Sequence, residues 1–294
     1  MSQLFQDIIN FPFLYRAFLA GILMSIAAGI IGTYIVARRL VFLTGGITHS
    51  SFGGIGLAYF AGFNPIVGAF IFSILSAVGV EWTTTSGKLR EDSAIGILWS
   101  FGMALGIIFI AITPGYAPNL MGFLFGSIVT VTSLDLMIVC IVNIIVLFFF
   151  YFFYRWIIYS AFDAEFAKTQ RIPVGLINML MIVLVAVTIV SGIRIVGIIL
   201  LLSLLTIPPS TANLFSRNFK TIAIASVLLN ILGITLGLIF AYKLNIPSGA
   251  SVVCVQVVIF AIAKTITVIS DQLKVKVSLS QRITMVQQKH KHNE

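Results

Sequence analysis

Long apolar stretches follow one another along almost the whole chain, with short connections between them. Crossing about 30 Å of hydrocarbon takes roughly 20 apolar residues in a helix, which pairs its own backbone polar groups. Hydrophobic residues make up 59% of the 294 residues and charged residues only 9%, a balance that a soluble domain could not tolerate at its surface. The sequence therefore predicts an all-α integral membrane protein with about eight or nine transmembrane helices. The predicted spans are residues 14–36, 45–62, 65–83, 93–113, 135–157, 172–191, 195–214, 221–242 and 248–270.

The distribution of lysine and arginine predicts how these helices are oriented. If Arg38 and Arg39 face the cytoplasm, all but three of the 18 basic residues lie on or near that side, the exceptions being Arg16, Arg194 and Lys243. This asymmetry follows the positive-inside rule. We therefore expect the N-terminus outside and the C-terminus in the cytoplasm. The net charge of +9 then reflects topology and contact with anionic membrane lipid, and requires no nucleic acid partner.

The predicted organisation is one transmembrane domain, residues 1–271, followed by a basic cytoplasmic tail, residues 272–294. No basic region precedes the first apolar run and no small-residue cleavage site follows it, so we interpret it as a retained span. The tail carries His290 and His292, two residues apart. This pair could bind a metal ion weakly as a sensor, or it could belong to a solvated basic tail.

His49 is the histidine that lies within the apolar stretches, in the sequence TGGITHSS that begins at Thr44. An imidazole is unfavourable in lipid without a partner or a water-filled cavity, and an intramembrane ionisable residue is by default a candidate for a transport pathway. His49 is therefore the first candidate for binding a metal ion or a proton inside the membrane. The neighbouring hydroxyl groups could supply oxygen ligands, and they belong to Thr44, Thr48, Ser50 and Ser51.

Two stretches interrupt the regular pattern of spans. Residues 115–133 are apolar but broken, and counting them as a full span would place Arg155 outside, against the charge rule. We expect a re-entrant or short half-helix there, with an interfacial loop as the alternative. The second interruption is Pro208-Pro209, which frees backbone carbonyls that hydroxyl side chains could satisfy. This pair predicts a broken helix lining a transport site, or else a packing kink. The candidate hydroxyl groups belong to Ser203, Thr206, Ser210 and Thr211.

A hydrophilic segment at residues 162–173 separates two long apolar spans. It contains Asp163, Glu165, Phe166 and Lys168 at spacings that suit a short amphipathic helix. Such a helix could rest on lipid or dock into the groove of a partner protein. A solvated loop between helices is the alternative.

Five motifs in a fixed order give the chain a resemblance to the permease subunits of metal-uptake ABC transporters, which import zinc, manganese or iron. The resemblance extends to about residue 270. Each motif alone is weak, but the order of all five is specific. The motifs are RRLVFL from Arg38 followed by TGGITHS, LFGSI at 124–128, DAEFA from Asp163 ahead of Ile172-Pro173, the stretch from Val196-Gly197 to Thr211-Ala212, and Pro247-Ser248-Gly249.

The resemblance implies that His49 belongs to the metal path, with Thr48 as a further candidate. The family's aspartate, four residues before this histidine, aligns with Gly45, which has no side chain to donate. Imidazole without a carboxylate is a softer and weaker ligand, which leaves the identity of the metal open. Among the ions that the family imports, we expect zinc first and manganese or iron next. Glu81 and Asp135 lie too near the predicted membrane faces to be assigned as ligands.

The resemblance also implies that the segment from Asp163 is a cytoplasmic coupling helix that seats in a separate ATPase, with Asp163, Glu165, Phe166 and Lys168 at the contact. The chain has no Gly-x-x-x-x-Gly-Lys-Ser/Thr motif for binding ATP. We therefore expect a transport subunit that is not an enzyme and binds no cofactor, with a divalent metal ion as cargo and ATP hydrolysed by its partner.

These expectations combine into a homodimeric permease in a bacterial plasma membrane, with an ATP-binding ABC subunit beneath it and an extracytoplasmic metal-binding protein above it. An ion-coupled secondary carrier or channel without an ATPase is the alternative. Such carriers commonly use buried acidic or basic residues, and the predicted middle of the membrane contains no chain of them. A membrane scaffold without transport activity is the third possibility.

Overall fold

The computed structural model describes residues 12–87, 89–114 and 131–291, and all regular secondary structure in these residues is α-helical. The predicted all-α fold is confirmed. The helices in chain order are α1 Pro12–Ala37, α2 Val41–Ala61, α3 Pro65–Thr85, α4 Glu91–Ile112, α5 Ser133–Phe162, α6 Ala164–Thr169, α7 Val174–Val196, α8 Ile198–Asn213, α9 Phe219–Leu244 and α10 Ser248–Lys291.

Seven of the described helices are long and apolar enough to cross a membrane by length and composition: α1, α3, α4, α5, α7, α9 and the first half of α10. Helix α8 is apolar but shorter, and α2 carries many small and polar residues. Both of these helices are largely buried among the others. Counting them gives nine helices within the described part of the chain that can run through the bundle, which confirms the predicted eight or nine.

Helices α1 and α7 occupy the centre of the bundle, where 67% of their most apolar stretch is buried. Helices α4, α5 and α10 bury much less of theirs and expose rows of large apolar side chains, as lipid-facing helices do. The core therefore forms around α1, α7 and α8, and the outer helices face the hydrocarbon.

Side-chain contacts show which helices run in the same direction. The amide of Asn143 donates to the Leu23 carbonyl at 2.9 Å, and Arg38 donates to the Ser160 carbonyl at 3.3 Å, so α1 and α5 run parallel. Helices α2 and α4 are also parallel, because the residue numbers in contact increase together along both, from Gly46 against Ile95 to Gly56 against Gly106. The chain reverses between α1 and α2 in only three residues, 38–40.

These directions bear on the segment that joins α4 to α5. Because α4 runs parallel to α2 and α5 runs parallel to α1, Ile112 and Ser133 lie at the same end of the bundle. The positions of these two helix ends agree with the charge argument against an additional full span. The predicted re-entrant or half-helical structure at residues 115–133 lies almost entirely outside the described residues and stays a prediction.

Helix α10 begins at Ser248 and continues without interruption to Lys291. The predicted boundary between the transmembrane domain and the tail, at residue 271, therefore falls inside a helix and does not coincide with a helix end. Of the two tail histidines, His290 lies within this helix and His292 lies outside the described residues.

Candidate functional site

The candidate metal path is centred on α2, whose polar side chains are buried. Each of its buried hydroxyl groups donates to a backbone carbonyl three or four residues earlier in the same helix, which lets the helix bury them without a partner from elsewhere. Thr48 is among them, so its hydroxyl proton is already committed to the Thr44 carbonyl at 2.6 Å. The other bonds are Thr44 to Val41 at 2.6 Å, Ser50 to Ile47 at 3.0 Å and Ser51 to Thr48 at 2.6 Å.

His49 differs from these hydroxyl groups because its Nδ1 atom is buried and has no hydrogen-bond partner among the described residues. Its ring lies parallel to the indole of Trp99 on α4, with ring centroids 4.3 Å apart and an interplanar angle of 9°. The imidazole is therefore packed on one face, while one of its nitrogen atoms remains available to a ligand.

Trp99 also lies against Gly45, one helical turn before His49. A Cβ atom at Gly45 would lie 3.3 Å from Cζ3 of the indole, slightly closer than ordinary van der Waals contact. Phe42 extends this arrangement, with its ring centroid 5.9 Å from that of Trp99. Positions 42, 45 and 49 share one face of α2, because residues three and four apart lie above one another on a helix. At the position of the family's aspartate there is thus a glycine covered by an indole.

Carboxylates do not gather around His49 in the described residues, which contain no group of three His, Cys, Asp or Glu side chains able to hold a metal ion. Asp135 is occupied elsewhere. It pairs with Arg194 at 2.7 Å and forms a capping box with Thr132 at the start of α5. Its role is therefore to join the end of α7 to the start of α5, which agrees with leaving it out of the metal path.

The predicted short helix after α5 is present as α6. Asp163 is its N-cap and accepts a hydrogen bond from the Phe166 backbone N–H at 2.9 Å. Glu165 and Lys168 are exposed and paired at 2.7 Å, and Phe166 is 45% exposed with its ring edge-on to Tyr159. The buried residue of α6 is Ala167. The helix thus exposes a charged and aromatic surface while a small residue anchors it, and its role in coupling stays a prediction.

Arg38 lies in the turn between α1 and α2 and contacts the last turn of α5. Its Nη1 atom donates to the carbonyls of Ser160 and Ala161, at 3.3 and 3.5 Å, just before Asp163. Three residues after Arg38, the chain enters α2. The last turn of α5, which leads into α6, is thus hydrogen-bonded to the α1–α2 turn. In the sequence, Arg38 indicates topology and belongs to a motif, but nothing in the local pattern predicts this contact.

The helix break predicted at Pro208 and Pro209 is wrong. Helix α8 continues through both prolines to Asn213, and the chain bends instead at Gly197, whose φ of 78° separates α7 from α8. Glycine adopts this left-handed backbone without the steric penalty of a side chain.

The two prolines leave the carbonyls of Leu204 and Leu205 without their usual helical donors. Residues of other helices contact both carbonyls, and the helix continues. The side-chain amide of Asn230 on α9 donates to the Leu204 carbonyl at 3.2 Å. The backbone of Gly32 on α1 packs directly on the Leu205 carbonyl, where no Cβ atom would fit. Three of the four hydroxyl groups named above donate elsewhere: Thr206 to the Leu202 carbonyl, Thr211 to the Ile207 carbonyl and Ser203 to Gln256.

A buried polar network joins α8, α9 and α10. Ser203 donates to Oε1 of Gln256, and Nε2 of Gln256 donates to Oδ1 of Asn230 at 3.2 Å. Asn230 completes the network at Leu204. The sequence analysis missed the network, although two amide side chains inside predicted spans were a usable signal. Because its members pair with each other, the network resembles a structural connection more than a transport site.

Comparison with known proteins identifies the family to which this chain belongs. The family model described as the ABC 3 transport family matches residues 10–267 of this chain. The chain belongs to the ABC 3 transport family. The manganese transport system membrane protein MntC of Halalkalibacterium halodurans is 30% identical over 90% of this chain and 90% of its own length. The manganese import system permease protein ScaB of Streptococcus gordonii is 30% identical over 94% of this chain and 99% of its own.

A solved structure shares the fold. PsaBC from Streptococcus pneumoniae, determined in complex with Fab, contains a chain that superposes with a TM-score of 0.79 at 29% identity, covering 89% of this chain and 94% of that one. Membership in the ABC 3 transport family makes this protein a multi-pass membrane subunit of an ABC transporter, with the ATPase in a separate subunit. The prediction of a transport subunit that is not an enzyme is confirmed.

Proposed function

We propose that this chain is the membrane-spanning subunit of an ATP-driven importer of divalent transition metal ions. The observation that carries the proposal is His49, an imidazole within the bundle whose Nδ1 atom has no partner among the described residues. Burying a polar atom without a hydrogen bond is unfavourable for folding, and neutral imidazole is a common ligand of transition metals. An unpaired imidazole is thus better explained by a ligand than by stability.

Manganese is the ion that we expect this protein to carry. The support is that two relatives of nearly full-length coverage are named as manganese transport proteins. The available donor atoms favour zinc instead, because one imidazole without a carboxylate suits zinc, the ion expected from the sequence alone. A transport path must release its ion, so weak binding is acceptable there and the donor preference carries less weight than the relatives.

The remaining partners follow from the same proposal. A second copy of the chain would complete the path, an extracytoplasmic metal-binding protein would deliver the ion, and an ABC ATPase would bind the surface of α6 on the cytoplasmic side. Movement of α6 would pass through the Arg38 contact to α2. The basic residues at this end of the bundle support its cytoplasmic placement.

Uptake measurements test this proposal. The chain would be reconstituted with its cognate ATPase inside and its binding protein outside lipid vesicles, and supplied with radiolabelled manganese, zinc or iron(II). We expect ATP-dependent manganese uptake that His49→Ala abolishes and Phe101→Ala preserves, since Phe101 is an exposed residue of the neighbouring helix α4. Uptake that is indifferent to His49 would contradict the site, and zinc uptake without manganese uptake would contradict the choice of ion.

The coupling surface is tested separately, by copurification of the ATPase. The double charge reversal Asp163→Lys and Glu165→Lys should release the ATPase, whereas Lys243→Glu near the far end of α9 should leave the complex intact. An unchanged complex in the double variant would contradict the assignment of α6. Metal flux that persists without any ATPase would instead indicate a secondary carrier or channel.

A further inference from the structure

A cavity of about 440 Å³ lies between the C-terminal third of α5 and the first turn of α9. Two exposed basic side chains line it, Arg155 from α5 and Lys220 from α9, and the described residues around it include no carboxylate. Neither basic side chain forms an ion pair within the described part of the chain. The other described residues of its wall are all aromatic: Phe150, Tyr151, Phe152, Tyr154 and Trp156. The cavity therefore holds two positive charges, without a neutralising acid, between aromatic side chains.

Aromatic contacts join the two helices at this cavity. The ring of Phe219, at the start of α9, stacks on that of Phe150 with centroids 5.9 Å apart, and meets the ring of Tyr154 edge-on at 6.2 Å. Nζ of Lys220 lies 4.7 Å from the centroid of the Tyr154 ring. A cation over an aromatic face is held in place while it keeps its charge. The contact therefore positions Lys220 without neutralising it.

The cavity lies at the depth expected for lipid headgroups. Residues 133 to 155 of α5 span about 33 Å at 1.5 Å per residue, which is close to the hydrocarbon thickness of a bilayer. Tyrosine and tryptophan are enriched at this boundary of a membrane. From the cavity toward the opposite end of the bundle, both helices expose apolar side chains that lipid tails can cover. These side chains include Ile145 and Phe148 on α5 and Ile224 and Leu228 on α9.

We propose that this cavity binds the headgroup of an anionic phospholipid, whose acyl chains lie along the exposed apolar sides of α5 and α9. Charge complementarity carries the inference, because a phosphate group matches two cations that no acid neutralises. A zwitterionic headgroup fits less well, since it would bring its own ammonium group close to Arg155 and Lys220. The proposal goes beyond metal transport and does not depend on the assignment of His49.

The test is the affinity of phosphatidylglycerol relative to phosphatidylcholine at this cavity, in the full-length chain reconstituted in bilayers. Trp82 and Trp99 would be replaced by phenylalanine, which leaves Trp156 in the cavity wall as the single tryptophan. Lipids with brominated acyl chains quench tryptophan emission on contact, so they report which lipid occupies the cavity. Each basic side chain at a membrane surface contributes about fivefold in affinity. We therefore expect phosphatidylglycerol to bind about five- to 25-fold more tightly than phosphatidylcholine.

Charge variants locate this preference in the cavity. Arg155→Gln with Lys220→Gln should abolish it, because both cations are removed. Arg155→Lys with Lys220→Arg keeps both charges and should retain most of it, which guards against a loss caused by misfolding. The matched control is Arg90→Gln with Lys264→Gln, which removes the same charges from exposed positions outside the cavity and should leave the preference unchanged.

Four results would overturn the proposal. Equal affinity for the two lipids would show that the cavity does not select an anionic headgroup. A preference that survives in the Arg155→Gln and Lys220→Gln pair, or that falls equally in the control pair, would assign it to charge elsewhere on the surface. Displacement of brominated phosphatidylglycerol by glycerol phosphate would show that the cavity takes a soluble phosphate in place of a lipid. None of these results bears on metal uptake, which tests His49 separately.

Discussion

Two buried polar regions of this protein are built in opposite ways. Around Asn230 and Gln256, side-chain amides from α9 and α10 bond to each other, to Ser203 and to a carbonyl freed by a proline. Around His49, every nearby hydroxyl group bonds within its own helix and the Nδ1 atom of the imidazole has no partner among the described residues. In these two regions, the paired amides are suited to stabilising the bundle, and the unpaired imidazole nitrogen of His49 is the group that we assign to a ligand.

The sharpest test of this comparison is to remove the unpaired group. His49→Ala should reduce metal uptake by at least about tenfold, because losing even a supporting group of a metal site commonly costs 10- to 100-fold. The midpoint of thermal unfolding should fall only slightly, through loss of the His49–Trp99 ring contact, because no hydrogen bond is lost. Uptake and unfolding would be measured on the same preparation. A clear loss of stability would place His49 with the structural residues.

Removing a paired group should have the opposite pattern. Asn230→Leu leaves the Leu204 carbonyl and the Gln256 amide without partners, so the free energy of unfolding should fall by about 1–2 kcal/mol. Uptake per folded molecule should be nearly unchanged. Denaturation of the detergent-solubilised protein measures the free energy of unfolding, with Thr188→Val as a reference for loss of an intrahelical bond. Lost transport with intact stability would contradict the structural role.

Gly45 and Trp99 allow the comparison to be tested as a pair. Gly45→Asp places a Cβ atom 3.3 Å from Cζ3 of the indole, which must shift to admit the side chain, so we expect the free energy of unfolding to fall by about 1 kcal/mol, the low end of the cost of overpacking. Adding Trp99→Ala should restore part of the loss, because the collision is relieved. The quantity to evaluate is the coupling between the two substitutions in a double-mutant cycle. Simple additivity of the two effects would show that the residues do not act on each other.

The Arg38 contact should matter to transport more than to folding. Arg38→Ala removes the donor to two carbonyls at the end of α5, and we expect ATP-driven uptake to fall by a factor of about three to ten, equivalent to one ordinary hydrogen bond. ATP hydrolysis by the partner should then become less dependent on metal. Arg38→Lys should recover part of the uptake. Equal uptake in all three proteins would remove this contact from the coupling route.

The smallest effect is expected at the surface of α6. The Glu165–Lys168 pair is exposed, with side chains 84% and 61% accessible, and exposed pairs contribute at most about 0.5 kcal/mol. Glu165→Gln should therefore leave the unfolding midpoint unchanged within error. Any marked effect of this substitution should be on ATPase binding. A loss of stability without loss of binding would make the pair structural.

Much of the fold could be predicted because the membrane restricts the options. Apolar length and the asymmetry of Lys and Arg were sufficient for the nine helices and for the absence of a net crossing between α4 and α5. The spacing of Asp163, Glu165 and Phe166 similarly predicted α6. These features depend on neighbours in the sequence or on the surrounding lipid.

The errors arose where the answer depended on distant residues. Whether Pro208 and Pro209 break α8 is decided by Asn230 on α9, which supplies the missing donor to the Leu204 carbonyl. What stands beside Gly45 is decided by Trp99 on α4. Neither partner can be identified from local pattern, because the register between two packed helices is set by many small contacts at once.

The uninterrupted course of α10 has a consequence for the shape of the whole transporter. Its 44 residues, at 1.5 Å each, make a rod of about 66 Å, more than twice the hydrocarbon thickness of a bilayer. Roughly half of the rod must therefore project into water beyond the last span. A protein that docks at this end of the bundle therefore meets a helix that extends about 30 Å beyond the last span.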